Sequence, residues 1–96
     1  MNYIWVDDIR QPAIPQATWC HNYDAAIEEL KKIDNEQVIL CLDHDLGEEK
    51  TGYDIAKYIV ENNIPISLIQ IHSANPVGRE NMNQLLTHYG YKVVLM

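Results

Sequence analysis

The chain has 96 residues and a formal net charge of −7 at pH 7; 47% of its residues are hydrophobic and 22% are charged. This composition is typical of a globular protein and excludes an intrinsically disordered chain, and the length predicts a single domain over residues 1–96. The negative charge disfavours duplex DNA and anionic membranes as partners, because both are themselves negatively charged.

Cysteine usage and the N-terminal sequence bear on the cellular compartment. Cys20 and Cys41 are isolated in apolar stretches, without the spacing of a zinc site, so we expect buried, reduced thiols. The N-terminus has no basic segment followed by a long apolar one, and no apolar run approaches the roughly 20 residues that span a bilayer. These features predict a soluble cytoplasmic protein. They leave its oligomeric state open.

The first half of the chain predicts three strands and one helix. Short apolar runs mark the strands, at Tyr3–Val6, Ala17–His21 and Val38–Leu42. Pro12 and Pro15 exclude a regular helix between the first two strands. After the second strand, Asn22 can cap a helix in which Ala26 and Leu30 belong to an apolar face at helical spacing.

The second half of the chain alternates helices with strands. Thr51 and Asp54 have the spacing of a capping box and open a helix, which Pro65 ends. Asn75 can cap a last helix, with Pro76 at its first position. Two further apolar runs predict strands, at Ile66–Ile71 and Tyr91–Leu95.

This alternation predicts an α/β fold with a mainly parallel sheet and helices on both of its faces. In such sheets, ligands bind beyond the carboxyl ends of the strands. Three polar segments directly follow predicted strands; they are Asp7 and Asp8, then Asp43, His44 and Asp45, then His72 and Ser73. We therefore expect these side chains to form one site at the edge of the sheet.

The order of these features resembles the receiver domain of bacterial response regulators over nearly the whole chain. Asp7 and Asp8 resemble its magnesium-binding pair, Asp43 its phospho-accepting residue, and Ser73 its Thr or Ser before an Ala. The resemblance implies a flavodoxin-like, five-stranded parallel sheet of order 2-1-3-4-5, flanked by about three helices. It also implies a Mg²⁺ cofactor held by Asp7, Asp8 and Asp43.

Two features depart from the receiver pattern. The proline-containing segment after Asp8 predicts a loop in place of the first crossover helix, and we expect the last receiver helix to be missing after the fifth strand. A receiver holds its acyl phosphate with a Lys at the end of that strand, whereas Lys92 lies near the start, roughly 10 Å from the catalytic edge. We therefore expect no conventional phosphotransfer at Asp43.

Three longer motifs are similar to a divergent family, the cyclic-phosphate processing receiver domains. They are "WVDDIRQP", "LDHDLGEEKTGYD" and "IHSANPVGRENM". The resemblance implies a small ligand that contains a cyclic phosphate, either a cyclic nucleotide or the 2′,3′-cyclic end of an RNA. The alternative is a non-catalytic signalling or sequestering module, which binds a nucleotide messenger or a partner without turnover.

The residues at the predicted edge suggest how such a ligand could react. Asp43 is a metal ligand, a phospho-acceptor or a base. His44 and His72 could act as general base and general acid in opening a cyclic phosphodiester. The alternative for both histidines is a core position, satisfied by backbone groups. Asp43, His44 and His72 are the predicted catalytic residues.

Further residues are predicted to bind the ligand rather than to react with it. The Ser73 hydroxyl can donate to a phosphate oxygen, and Asn75 opens a helix whose N-terminus favours anions, although it could serve only as a cap. Arg79, one turn into that helix, could contact phosphate through two hydrogen bonds. Arg10 is a second candidate cation, and Asp45 completes the predicted ligand-binding set.

Overall fold

The computed structural model describes residues 2–96. Its strands are β1 (Asn2–Val6), β2 (Thr18–Cys20), β3 (Val38–Leu42), β4 (Leu68–Ile71) and β5 (Val93–Leu95). Its helices are α1 (Tyr23–Lys31), α2 (Gly52–Glu61) and α3 (Pro76–His88). All strands are parallel and form one sheet of order β2-β1-β3-β4-β5. The receiver-like fold and the strand order are as predicted.

Each helix begins at the cap that the sequence indicated. The side chain of Asn22 accepts a hydrogen bond from Ala25 N at 2.8 Å. Thr51 and Asp54 form a complete capping box at the start of α2. The side chain of Asn75 caps α3, with Pro76 in the first turn. Because a cap satisfies backbone N–H groups that have no partner within the helix, these residues fix where each helix starts.

Three strands are shorter than predicted: β2 lacks the predicted Ala17 and His21, and β4 and β5 begin later than expected. β4 begins at Leu68, which is paired with Ile39 near the start of β3. Just before the strand, Ser67 N donates one further hydrogen bond, to the carbonyl oxygen of Val38 at 2.9 Å. β5 begins at Val93, opposite Ile69. The apolar residues before each strand lie beyond the paired ladder, and apolar character alone does not distinguish them from strand residues.

The prediction of helices on both faces of the sheet is wrong. The connections β2-α1-β3, β3-α2-β4 and β4-α3-β5 all run in the same direction across the sheet. Since such crossovers are right-handed, they place all three helices on one face. In agreement, α2 packs against both α1 and α3. The one connection in the opposite direction, β1 to β2, is a loop over residues 7–17 that contains no helix.

The two faces of the sheet are therefore covered differently. Between the sheet and the helices lies the main core, in which Leu40, Ile69 and Ile71 are fully buried. Burial of each such side chain contributes about 1.5–3 kcal/mol. On the other face, the β1–β2 loop covers Trp5, whose indole N–H donates to the carbonyl oxygen of Arg10 at 2.8 Å. Trp5 is only 5% exposed as a result.

Both cysteines are buried free thiols, as predicted. Burial raises the pKa of Cys20 and of Cys41 to about 11. A thiol with a raised pKa is protonated at neutral pH and therefore a poor nucleophile. This chemistry favours a packing role for both residues.

Helix length also bears on membrane association. The longest helix, α3, has 13 residues, which corresponds to about 20 Å. Within residues 2–96, no helix combines the length and the apolar character needed to cross a membrane.

Candidate functional site

Three polar residues lie level with one another at the carboxyl edge of the sheet. The strand ladder continues by one residue past β1, β3 and β4, through hydrogen bonds from the backbone N–H groups of Asp7, Asp43 and His72 to neighbouring strands, each 3.1 Å long. Because side chains alternate along a strand, Asp7 lies on the same face as Trp5. The sequence prediction that these strand ends meet is therefore correct.

The carboxylates of Asp7, Asp8 and Asp43 converge. One oxygen from each lies within 4.8 Å of the other two. Asp7 is 2% exposed and Asp43 is 8% exposed, so both are held in a largely desolvated position. They open into a cleft of about 430 Å³, which is lined by Asp7, Asp8, Ile9, Arg10, Asp43, Asp45, Gly47 and Ala74.

The electrostatics of this cluster suit a hard divalent cation. Burial raises the pKa of Asp43 above the ordinary aspartate value, and the charge of Asp7 raises it further. The hydrogen bond from His44 N, at 2.8 Å, and the nearby His72 and Ser73 oppose this shift only in part. Closely spaced carboxylates repel one another, and hard cations prefer carboxylate oxygens. The three Asp residues therefore form a donor set that could hold such a metal ion.

Gly47 allows the β3–α2 loop to approach this cluster. Its backbone has a φ of 68°, in the left-handed region, and a Cβ at this position would lie 2.6 Å from Asp8 Oδ2. Any side chain here would collide with Asp8 or strain the loop. The same loop also contacts α1, because the Glu48 carboxylate accepts a hydrogen bond from Tyr23 N at 2.8 Å.

His72 is held between an aromatic ring and a carboxylate. Its imidazole stacks on Trp5 with ring centroids 4.4 Å apart, and its Nε2 lies 3.2 Å from Asp7 Oδ2. Burial lowers the pKa of His72, which outweighs the opposing effects of Asp7 and Asp43. Since a carboxylate only accepts hydrogen bonds, neutral His72 donates through Nε2–H. Its Nδ1 is buried and has no hydrogen-bond partner within residues 2–96.

His44 belongs to a different set of contacts. Its Nδ1 lies 2.9 Å from Asp45 Oδ1 and 3.5 Å from Asn75 Nδ2, and its ring packs on Gly78 in the first turn of α3. The hydrogen bond from His44 lowers the pKa of Asp45. His44 and His72 share no hydrogen-bond partner among the described residues. Their role as an acid–base pair remains a prediction.

The remaining predicted residues are divided between the cleft and its surroundings. Arg10 lines the cleft, and its guanidinium donates to the carbonyl oxygen of His72 at 3.3 Å. The Ser73 hydroxyl accepts a hydrogen bond from Asn75 N at 3.1 Å. Arg79 is directed elsewhere: its Nη2 donates to the carbonyl oxygen of Met96 at 2.9 Å, and it does not line the cleft.

Trp5, which stacks on His72 at the site, was not singled out from the sequence. The signal was its position two residues before Asp7 in the same strand, which places both side chains on one face. Ile9 was also overlooked. It lines the cleft with 82% of its surface exposed, and only the conformation of the loop places it there.

The 2-1-3-4-5 parallel sheet, with acidic residues converging at its carboxyl edge, defines a receiver-like α/β domain. Within this class, the sequence matches the cyclic-phosphate processing receiver domain over residues 2–88, and the chain belongs to that family. The family resemblance seen in the sequence motifs is confirmed. Comparisons with curated proteins and with solved structures gave no significant match.

Proposed function

We propose that this domain binds a cyclic phosphate, either a cyclic nucleotide or an RNA 2′,3′-cyclic end, in the cleft at the carboxyl edge of the sheet. The observation that carries the proposal is the convergence of the Asp7, Asp8 and Asp43 carboxylates in a member of this family. These three residues would hold Mg²⁺. When bound, the cation would neutralise the carboxylates and attract the phosphate oxygens.

Charge around the cleft supports a cation requirement. Without a cation, three carboxylates within 4.8 Å of one another would repel a phosphate group. Arg10 is the nearest cationic side chain that lines the cleft, and its side chain is 59% exposed, so its guanidinium can turn towards a ligand. Arg10 therefore supplies the protein's own contact to phosphate.

The size and lining of the cleft suit a ligand larger than inorganic phosphate. Its volume of about 430 Å³ lies in the ordinary range for small-molecule sites. Ile9 and Ala74 provide apolar surface beside the acidic cluster. A nucleoside or the terminal sugar of an RNA would cover this surface, which a free phosphate would leave exposed to water.

Hydrolysis is the more demanding version of the proposal. Opening the ring requires a group that takes a proton from water and another that protonates the leaving alkoxide. The Asp43 carboxylate could take the proton from water, and His44 could supply the proton to the leaving alkoxide. The separate contacts of His44 and His72 favour binding without turnover as the second candidate function.

Calorimetry with a panel of 2′,3′- and 3′,5′-cyclic nucleotides tests binding, with Mg²⁺ present and after its removal by chelation. Arg10→Gln and Arg79→Gln form a matched pair, because both remove one guanidinium but only Arg10 lines the cleft. We expect a loss of about tenfold or more for Arg10→Gln, the value of a charge-assisted contact. Arg79→Gln should cost less. Equal losses, or no heat with any nucleotide, would contradict the proposal.

Product analysis then separates the two candidate functions. The same nucleotides are incubated with protein and Mg²⁺, and linear phosphates are measured by chromatography. A product that disappears in Asp43→Asn supports hydrolysis. Binding without any product supports a sequestering or signalling module.

A further inference from the structure

We infer that Trp5 is a positioning residue of the candidate cation site. Its indole holds the imidazole of His72, and His72 in turn holds the Asp7 carboxylate in the orientation that faces Asp8 and Asp43. The inference rests on the proposed function only in requiring that these carboxylates bind a cation. It assigns a role to two buried rings that lie behind the site.

The stacking geometry is close and almost parallel. The centroids of Trp5 and His72 are 4.4 Å apart, with an angle of 16° between the ring planes. Trp5 is 5% exposed and His72 is 7% exposed, so the contact is shielded from water. Stacked aromatic pairs of this kind contribute beyond their buried area.

Two directional contacts orient the His72 ring: the stacking on Trp5 and one hydrogen bond. Nε2 donates to Asp7 Oδ2 at 3.2 Å, whereas the buried Nδ1 has no hydrogen-bond partner among residues 2–96. Without the Trp5 face, the hydrogen bond to Asp7 would be the one directional contact of the ring left among those described. The orientation of Asp7 therefore depends on Trp5 through His72.

The two oxygens of Asp7 have separate partners. Oδ1 accepts hydrogen bonds from the backbone N–H groups of Ile9 and Arg10, at 2.9 and 2.8 Å. Oδ2 faces His72. Because Oδ1 is engaged by the loop, Oδ2 is the oxygen whose direction His72 controls. Partners behind a metal-binding carboxylate commonly orient it in this way.

The β1–β2 loop closes the same set of contacts. The indole N–H of Trp5 donates to the carbonyl oxygen of Arg10 at 2.8 Å, and the Arg10 guanidinium donates to the carbonyl oxygen of His72 at 3.3 Å. Trp5, Asp7, Arg10 and His72 thus contact one another in a closed ring. A change at Trp5 should affect cation binding and the loop together.

A second tryptophan–histidine pair on the next strand provides an internal control. Trp19 and His21 also stack, with centroids 4.2 Å apart and an interplanar angle of 26°. His21 is exposed, however, and it makes no hydrogen bond to the cluster among the described residues, whereas Trp19 does contact the cluster: its Nε1 donates to the backbone carbonyl oxygen of Asp7 at 2.7 Å, a contact that removing the His21 ring keeps. Removing the His21 ring should therefore leave cation binding unchanged.

The experiment measures Mn²⁺ and Mg²⁺ affinity by calorimetry in the intact protein and in Trp5→Phe, Trp5→Leu and His21→Leu. Trp5→Phe keeps an aromatic face and loses the indole N–H, whereas Trp5→Leu loses both. We expect Trp5→Leu to weaken cation binding about tenfold or more, with most of the affinity retained by Trp5→Phe. His21→Leu should bind as the unmodified protein does.

A fluorescence titration gives a readout that does not depend on activity or on the Leu variant being folded. In Trp19→Phe, which loses the hydrogen bond from Trp19 Nε1 to the Asp7 carbonyl oxygen, Trp5 is the single tryptophan, and its emission should change on adding Mg²⁺ with the midpoint that calorimetry finds for this same variant. Circular dichroism checks that each variant is folded. If Trp5→Leu is unfolded, the change in Trp5 emission in Trp19→Phe tests the inference instead.

The outcomes separate this inference from the proposed function. Heat of cation binding that is equal in the unmodified protein and in folded Trp5→Leu would overturn the role of Trp5 alone. Binding heat without any change in Trp5 emission would do the same. No cation binding by the unmodified protein would contradict the cation site itself, and with it this inference.

Discussion

At the scale of single residues, the site is defined by groups held in an unfavourable environment. Asp43 is largely buried beside Asp7, and burial together with this like charge raises its pKa. His72 is buried with one ring nitrogen unpaired, and burial lowers its pKa. Unfavourable electrostatic environments of this kind lower the stability of the fold. They are common at sites that bind a ligand or catalyse a reaction.

The first prediction concerns the charge of Asp43. Asp43→Asn removes the repulsion but keeps an oxygen that can accept the hydrogen bond from His44 N. In the absence of divalent cations, we expect the variant to be more stable by about 1–4 kcal/mol, the Coulomb energy of close like charges. Thermal unfolding with a chelator present measures this change. Mg²⁺ should stabilise the unmodified protein and not the variant.

The pH dependence of this effect has a definite sign. Because the pKa of Asp43 is raised in the folded state, protonation favours folding, and the stability it contributes is lost as pH rises through the folded pKa. The advantage of Asp43→Asn should therefore shrink as pH falls through the raised folded pKa and be lost below the ordinary aspartate pKa. An advantage that grows in acid would contradict this account.

The second prediction uses the contact between Gly78 and His44. Helix propensity alone favours Gly78→Ala by about 1 kcal/mol, but the new Cβ would lie 2.6 Å from His44 Nδ1. We expect a net loss of about 1 kcal/mol, because overpacking costs roughly 1–3 kcal/mol. In a His44→Ala background, the same change should be stabilising. Urea unfolding of the four proteins measures the reversal, and the same sign in both backgrounds would contradict it.

At the scale of elements, the carboxyl ends of the strands position the residues of the site, and the α2 N-terminus lies beside them. Parallel pairing brings Asp7, Asp43 and His72 level with one another. The α2 N-terminus is attached to the same edge, since Gly52 N donates to the carbonyl oxygen of His44 at 2.7 Å. The pairing of strands therefore decides which residues meet, and the loops decide how each side chain is directed.

The third prediction follows from the register of β5. Val93 pairs with Ile69 and Leu95 with Ile71, so Met96 follows the strand level with His72. Lys92 precedes the strand and therefore lies at the other end of β5, away from the carboxyl ends of the strands. Lys92 therefore cannot reach an acyl phosphate on Asp43. We expect acetyl phosphate and Mg²⁺ to yield little stable adduct, as measured by intact mass. Stoichiometric modification of Asp43 would show that phosphotransfer operates here.

At the scale of the whole molecule, the domain is a sheet with helices on one face and a loop over part of the other. β3 is central, with β1 and β4 as neighbours, whereas β5 forms an edge. Val94 and Leu95 in that edge strand are 45% and 39% exposed. Local stability should therefore fall from the centre of the sheet to β5.

The fourth prediction tests this gradient by native-state hydrogen exchange. Amides of β3 should open only with global unfolding, because they are paired on both sides and covered by the main core. Amides of β5 should exchange at least about 100-fold faster through local opening. Similar protection in the two strands would mean that the edge strand β5 is covered in solution.

Much of the local structure and the family membership could be predicted from the sequence. β3 has the predicted bounds, and the caps Asn22, Thr51 and Asn75 begin the three helices as expected. The acidic segments could be assigned to one edge because parallel strands share the direction of their carboxyl ends. Periodicity, caps and strand ends depend on neighbours in the chain, so they can be derived from the sequence.

The relative orientation of these parts could not be predicted from the sequence and became evident from the folded structure. The direction of each crossover placed all helices on one face, and packing directed His44 to Gly78 and His72 to Trp5. It also turned Arg79 to the Met96 carbonyl and away from the cleft. The direction of each side chain is set by contacts between residues far apart in the chain. Local sequence patterns do not reveal those contacts.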